Sequence, residues 1–204
     1  MSKLGSVHGR ATGATLRAVL RAATAPSHDR LDAAVGALDL ADASQYAVFL
    51  RIQLAAREGL EALLGQRMGH DAPPSQAHLL RADLQALNEA LPARRVLVSL
   101  PAGADITGMC WAVAGSHLGN RMMMRNLATR APAEWPTRFL ADESMMTWWQ
   151  GFRPALERPA TPGDPAIPAA CAAFDAFLSA AADQGLAIDL PVTEPRAGEL
   201  RATA

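Results

Sequence analysis

The sequence predicts an all-α protein folded as a single-domain, irregular helical bundle. Apolar residues recur at the 3.6-residue period along most of the chain, and no segment shows a firm strand pattern. Alanine and leucine dominate, whereas valine and isoleucine are sparse and only one tyrosine is present, which favours helix over sheet. Half of the residues are hydrophobic and 19% are charged, the balance of a globular domain with a sizeable core. A length of 204 residues suits one such domain.

The chain divides into a helical domain and two flanking segments. Residues 1–13 are predicted to be a disordered arm, residues 14–187 the helical domain, and residues 188–204 a loose tail. The N-terminal residues lack the apolar core of a signal peptide, and no run of 18 apolar residues is evident. We therefore expect a cytoplasmic protein with no membrane span. A formal net charge of -1 provides no basic field that would attract nucleic acid.

The first two helices have recognisable boundaries. One helix begins near Leu16, and Pro26 is expected to kink or restart it with Thr24 as the cap. The second begins behind Ser44, a good N-cap residue, and is expected to end at Gly65.

The later helices are predicted to begin at capping residues and to end at proline or glycine. Residues 93–104 contain a short apolar run that periodicity cannot assign. The predicted boundaries are Pro92 as the end of the third helix, Asp105 to about Arg130 for the fourth, 137–157 for the fifth, and 169–184, stopped by Gly185, for the last.

Two glycines lie four residues apart inside a strongly helical pattern. Gly115 and Gly119 each cost about 1 kcal/mol relative to alanine in a helix interior. They fall on one helical face, so their missing side chains would expose a strip of bare backbone. Two explanations remain open from the pattern alone, namely close packing of a second helix or a flat ligand lying on that strip.

His28 is the candidate metal ligand. It shares a helical face with Leu31 and Val35, where a histidine taken alone is most often a satisfied core residue. No HExxH or ExxH pattern accompanies it, which argues against zinc and di-iron sites with three or four protein ligands. A single axial histidine is what haem requires, because the porphyrin supplies four further nitrogens.

Several segments together resemble the bacterial haem oxygenases. The segment around His28, with Thr24 four residues before it, is similar to their proximal helix. The sequence Gly115-Ser-His-Leu-Gly119 matches the GSxLG segment of their kinked distal helix, especially in the enzymes that accompany bacterial phytochromes. The likeness spans about residues 14–185 in matched order and spacing, and its other segments are 46–50, at the start of the second helix, and 148–156, in the late helix.

The resemblance implies a specific site and reaction. His28 would bind the iron of haem b, and the backbone of Gly115 and Gly119 would lie over the opposite side, where O2 binds. Ser116 and Asn120 would complete the catalytic segment. Haem would be both cofactor and substrate, and the products would be biliverdin, CO and ferrous iron.

The resemblance also implies partners for the haem propionates and for electron supply. Arg21, two helical turns before His28, and Arg153, in the late helix, would pair with the propionates, although each could equally be a solvated surface residue. The sequence contains no GxGxxG motif, so electrons would come from a ferredoxin or a reductase. A bacteriophytochrome could receive the biliverdin.

The sequence departs from the family pattern at Asn120 and Ala114, and His117 occupies its variable position. Asn120 stands where a further glycine is common, and Ala114 where the phytochrome-associated enzymes usually carry glutamate. His117 occupies the variable position, where it could pack, lie on the surface, or bind iron as a second axial ligand and block oxygen. The alternatives to an active enzyme are therefore a haem-binding or sensing protein without turnover, and a helical interaction module without haem.

Overall fold

A computed structural model describes residues 13–188 of the chain as a bundle of α-helices with no strand in that range. The predicted all-α architecture is therefore confirmed. The predicted arm and tail, 1–13 and 188–204, lie outside the described residues apart from their innermost positions. The helices are α1 (Leu16–Gly36), α2 (Ala43–Met68), α3 (Ala77–Ala86), α4 (Thr107–Ser116), α5 (Asn120–Ala128), α6 (Arg138–Ala141), α7 (Ser144–Phe152) and α8 (Ala166–Asp183), with 3-10 turns at Gly69–Asp71, His117–Gly119 and Arg153–Leu156.

Helix α8 is the centre of the larger hydrophobic core, because α1, α2 and α4 all pack against it. Its alanines allow these neighbours to come close. At the start of α4, a Cβ on Gly108 would lie 1.8 Å from the carbonyl oxygen of Ala166, so only glycine fits there. The segment 93–104, left unassigned by periodicity, runs beside α2 without regular structure, and the Val96 amide donates to the Ala55 carbonyl at 2.9 Å.

By length and composition, helix α8 is also apolar enough to cross a membrane. The sequence analysis did not identify it as such a segment. In the fold, 56% of this 18-residue helix is buried inside the protein. Its burial against three other helices is what a core helix of a globular domain shows.

A second core cluster lies on the other face of α2, against α3 and α6. Tyr46 and Phe49 are fully buried there, and the Tyr46 hydroxyl donates to the Pro136 carbonyl at 2.9 Å. Buried Asp83 accepts hydrogen bonds from the backbone amides of Arg138 and Phe139 at 3.1 and 2.9 Å, which fixes the start of α6 against α3. This cluster supports the second half of the chain.

Helix α1 differs from its prediction because it runs through Pro26 without a restart. Thr24 is not a cap. It is buried within the helix, where its hydroxyl donates to the Leu20 carbonyl at 2.9 Å. The N-cap is Thr15, whose side chain accepts from the Ala18 amide. Pro26 is tolerated because it lies on the exposed side and only removes one intrahelical donor.

Helix α2 is longer than predicted at both ends. Asp42, two residues before Ser44, is the N-cap and accepts from the Gln45 amide at 3.0 Å. Gly65 lies within the helix, which ends at Gly69 with a positive φ of 59°. Asp42 competes successfully because its carboxylate also accepts from the Ser44 hydroxyl at 2.6 Å.

The predicted helices 105–130 and 137–157 are both interrupted. The first contains the 3-10 turn His117–Gly119 between α4 and α5, and Asp105 accepts from the Thr107 amide at 2.9 Å as a cap would. The second breaks between α6 and α7, where Asp142 is extended, and ends in a 3-10 turn.

The third and last helices also have different bounds. Helix α3 stops at Ala86, since Asn88 adopts a positive φ of 55°, so Pro92 does not end it. Helix α8 begins at Ala166, earlier than predicted, because Asp164 accepts from its amide at 3.0 Å. Gly185 follows α8 with φ of 81°, as the sequence predicts.

Candidate functional site

His28 lies at the edge of the α1 face that packs against α8. Leu16, Leu20 and Thr24 are buried on that face, and Leu31 and Val35, which the sequence groups with His28, are partly buried against the same core. The His28 side chain is 57% exposed, although its ring packs against Phe174 of α8 with ring centroids 5.9 Å apart. One face of the imidazole is therefore supported by the core, and the rest is accessible to a ligand.

Asp32 orients the His28 ring. The Nδ1 atom of His28 lies 3.1 Å from a carboxylate oxygen of Asp32, one helical turn later. A carboxylate in this position accepts the Nδ1 proton, which leaves Nε2 as the unprotonated nitrogen of the neutral ring. Nε2 is the nitrogen that can then bind a metal.

The bare backbone predicted at Gly115 and Gly119 faces open space. A Cβ on Gly115 would meet no atom within 4 Å, and one on Gly119 would meet only Met123 Cε, at 3.9 Å. No helix within residues 13–188 comes close enough to require a glycine at either position, so the helix-packing explanation of the two glycines is wrong. The apolar side chains on the same face are exposed, 43% for Leu118 and 70% for Met122.

His28 and Trp111 pack against the same side chain of α8. The Phe174 ring lies 5.9 Å from the His28 ring and 6.3 Å from that of Trp111, which precedes Gly115 by one turn. Helices α1 and α4 pack mainly against α8 and not against each other. We call the region bounded by His28, Phe174 and the glycine strip the groove. It offers an imidazole on one wall and naked main chain with apolar side chains on the other.

Arg57 supports the glycine-bearing helix from behind. This α2 residue is fully buried, and its Nη2 donates to the Ser116 hydroxyl at 2.8 Å and to the Val113 carbonyl at 3.4 Å. Its guanidinium lies over the Phe139 ring, 5.1 Å from the centroid, and 4.0 Å from a Glu61 carboxylate oxygen. Burial lowers the pKa of Arg57 to about 10, so the side chain stays charged at neutral pH. Ser116 is thereby engaged with α2, and its own hydroxyl donates to Val113.

His117 is buried, 3% exposed, with both ring nitrogens engaged by the protein. Nε2 lies 2.8 Å from the Asp142 carbonyl oxygen, and Nδ1 lies 2.9 Å from Asn120 Nδ2 and 3.2 Å from Gln76 Nε2. Burial lowers the pKa of His117, which favours the neutral ring. With no nitrogen free, His117 is a packing residue, and the second-axial-ligand interpretation is not supported.

Asn120 is turned towards the interior of the fold. Its side chain is buried, and Nδ2 reaches the Phe139 carbonyl at 3.4 Å in addition to the His117 ring. Where the sequence replaces the family's further glycine, the larger side chain therefore packs behind the helix. The catalytic roles expected for Asn120 and Ser116 stay predictions.

The two predicted propionate ligands are both exposed arginines. Arg21 lies on α1, two helical turns before His28, and Arg153 begins the 3-10 turn after α7. Within residues 13–188, neither forms an ion pair, so both guanidinium groups are available to an anionic ligand.

Three polar residues of the site were not predicted from the sequence. Arg57 could have been found, because it is a charged residue at a position where the helical period of α2 predicts a buried apolar one. Gln53 and Glu61, four residues before and after it, are polar partners on the same face. Gln76 and Asp142 gave none, since they lie in connecting segments and reach His117 only through the tertiary fold.

Comparison with known proteins identifies a solved structure with a similar fold. No protein-family model matches the chain, and no curated protein matches it. Among solved structures, the chain is similar to the NO- and CO-bound haem oxygenase of Neisseria meningitidis, with a TM-score of 0.62 and 21% sequence identity over 88% of this chain and 98% of that one. The chain therefore has the all-α fold of a bacterial haem oxygenase.

Proposed function

We propose that this protein is a haem oxygenase that cleaves haem to biliverdin, CO and ferrous iron, using O2 and external electrons. The observation that carries the proposal is the groove. The rings of His28 and of Trp111, one turn before Gly115, pack against the same phenylalanine, and within residues 13–188 no neighbouring atom fills the space in front of Gly115. The haem oxygenase fold supports it, since the solved neighbour was crystallised with NO and CO.

The residues of the groove fit haem. His28 Nε2 would bind the iron, with Asp32 holding the ring through Nδ1. Haem, when bound, supplies the iron chemistry and is itself the substrate. Gly115 and Gly119 would let the porphyrin and O2 approach the backbone, because neither position carries a side chain.

The remaining walls would exclude water and position the ring. Trp111, Leu118 and Met122 present apolar surface on the glycine side of the groove. Arg21 and Arg153 would pair with the propionates, for which a bidentate guanidinium is suited. Ser116 and Asn120, predicted as catalytic residues, would act mainly by holding the glycine strip, because their polar atoms bond within the protein.

The proposed partners follow from this chemistry. A ferredoxin or a reductase would supply the electrons to the exposed side of the groove, and a bacteriophytochrome is a candidate acceptor of biliverdin. A cytoplasmic location agrees with the burial of α8 within the bundle.

The alternative of a haem-binding protein without turnover has less support from the site. It arose from Asn120 and from His117 as a possible second ligand. Both side chains bond away from the groove in the described structure, so neither would occupy the oxygen side of the haem.

A hemin titration tests the proposal. We expect a Soret band with the wild-type chain that is lost or strongly weakened in His28→Ala. His70→Ala is the matched control, because His70 is 94% exposed in the turn after α2 and should leave binding unchanged. Addition of ascorbate, or of ferredoxin with its reductase, in air should then produce the long-wavelength absorption of biliverdin.

The outcomes separate the functions. Binding that depends on His28 without turnover would select the non-catalytic haem protein. Absence of hemin binding would leave the helical interaction module as the remaining function.

A further inference from the structure

We propose that His117 is a positioning residue, which holds the break between α4 and α5 and so keeps the glycine strip in place. The importance of that strip for haem rests on the proposed function. The mechanical role of His117 does not, because it follows from contacts within the protein alone. We call the 3-10 turn His117–Gly119 the break.

The His117 ring joins the break to three other parts of the chain. Nε2 bonds to the Asp142 carbonyl between α6 and α7 at 2.8 Å, and Nδ1 bonds to Gln76, just before α3, at 3.2 Å. The ring edge meets Phe139 of α6 at 5.9 Å with an interplanar angle of 79°. Since the ring lies between the two glycines in sequence, its fixation also fixes the backbone on either side.

The hydrogen-bond partners select one form of the ring. A backbone carbonyl can only accept, so Nε2 must carry the proton and donate to Asp142. Nδ1 must accept, because the amide nitrogens of Asn120 and Gln76 point at it. Each amide is held in that orientation by a second acceptor, the Phe139 carbonyl for Asn120 and the Asp142 carboxylate, at 2.8 Å, for Gln76. The neutral Nε2–H tautomer is thus the form that allows all three hydrogen bonds of the ring, to Asp142, Asn120 and Gln76.

Protonation of His117 would disrupt these hydrogen bonds. A proton on Nδ1 would face two N–H donors, so both bonds at Nδ1 would be lost. The charged groups around the ring are Arg57 of α2 and Arg121 of α5, which oppose protonation, and Asp142, which favours it. Burial is the largest effect and keeps the ring neutral at pH 7, so the break is expected to loosen only in acid.

Two measurements on the chain without haem test the role directly. In a sample labelled with 15N histidine, NMR should show one neutral Nε2–H imidazole with a slowly exchanging proton. Hydrogen exchange of peptides covering residues 115–125, measured relative to the intrinsic rate at each pH, should show strong protection at pH 7. This protection should fall by about tenfold or more on acidification, as expected when one or two buried hydrogen bonds are lost.

Two variants and a control make the test specific. His117→Ala should show weak protection at every pH, whereas His117→Gln, which keeps one donor and one acceptor but does not titrate, should restore the protection and remove its loss in acid. His78→Gln, at an exposed residue of α3, should behave as wild type. A different tautomer, or an unchanged loss of protection in acid in His117→Gln, would overturn the proposal.

A further experiment with haem-loaded protein distinguishes this proposal from the proposed function. If the chain turns haem over, His117→Ala should give a mixture of biliverdin isomers where wild type gives one, and His117→Gln should restore the wild-type product. If haem does not bind, the exchange results still decide the role of His117. Wild-type protection of residues 115–125 in His117→Ala would refute it whatever the haem result.

Discussion

Single residues of the candidate site divide into an exposed proposed ligand and buried supports. His28 is open to a ligand on α1, whereas Arg57 and His117 are buried behind the glycine strip and bond only to protein atoms. A charged or polar side chain without solvent is costly unless its partners are in place. The supports are therefore expected to dominate stability, and the ligand and its carboxylate to dominate binding.

Replacement of Asp32 tests the orientation of the ligand. We expect Asp32→Ala to weaken hemin binding by about tenfold, at the low end for such supporting carboxylates because Asp32 is 68% exposed. The measurement is the hemin Kd from Soret titration, with the iron–histidine stretching frequency as a direct readout of the ligand. Asp29→Ala is the control, because it removes the exposed carboxylate that directly follows His28 in the same helix. Equal affinity and frequency in Asp32→Ala and wild type would show that Asp32 does not orient His28.

Replacement of Arg57 tests the buried support. We expect Arg57→Ala to lower the free energy of unfolding by about 3 kcal/mol or more, because it removes a fully buried charge and leaves Ser116 and Glu61 without their partner. Arg81→Ala, which removes an exposed residue paired with Glu58, should cost about 1 kcal/mol or less. Urea denaturation of both variants measures the difference. Similar losses would mean that the buried network does not stabilise α4.

Among the helices, α4 carries two glycines that have different structural roles. Gly108 is required by the close approach of α8, and a side chain there would overlap the Ala166 carbonyl. Gly115 has open space in front of it, so its lack of a side chain serves no contact within residues 13–188. The first glycine belongs to the fold, and the second to the proposed groove.

Alanine substitutions separate these two roles. We expect Gly115→Ala to raise the free energy of unfolding of the haem-free chain by about 0.5–1 kcal/mol, from helix propensity alone, while it impairs haem turnover. Gly108→Ala should destabilise the fold, because the new Cβ would lie 1.8 Å from Ala166 O. Chemical denaturation and hemin turnover are measured on both. A Gly115→Ala variant that is stable and fully active would contradict the proposed use of the strip.

The sequence predicts continuous helices better than their interruptions. Periodicity located α2 and α8, because each buries long apolar faces whose spacing is local information. Periodicity did not predict the breaks at 117–119 and near Asp142, because they depend on His117 and Gln76 meeting across the fold. The resemblance to a kinked distal helix implied the first break but not the second. The resemblance singled out His28 and the two glycines as candidate site residues, whereas the buried supports required the tertiary structure.

At the level of the whole molecule, acid stability should reflect the buried histidine. A neutral His117 with a lowered pKa leaves stability intact above pH 6.5, the usual histidine value, and costs stability as the pH falls below it, because only the unfolded chain then binds the proton. The unfolding free energy of wild type should therefore fall between pH 7.5 and 5.5, and less steeply in His117→Gln. Parallel curves for the two proteins would place the acid sensitivity elsewhere.

The common support of the groove walls has a consequence for how large molecules enter and leave. Helices α1 and α4 each rest on α8 and hardly on one another. A small tilt of α1 over Phe174 would thus widen the mouth without breaking an α1–α4 interface. If the proposed function holds, release of a bulky, opened tetrapyrrole would then require rearrangement at a single helix contact, while the remaining core stays intact.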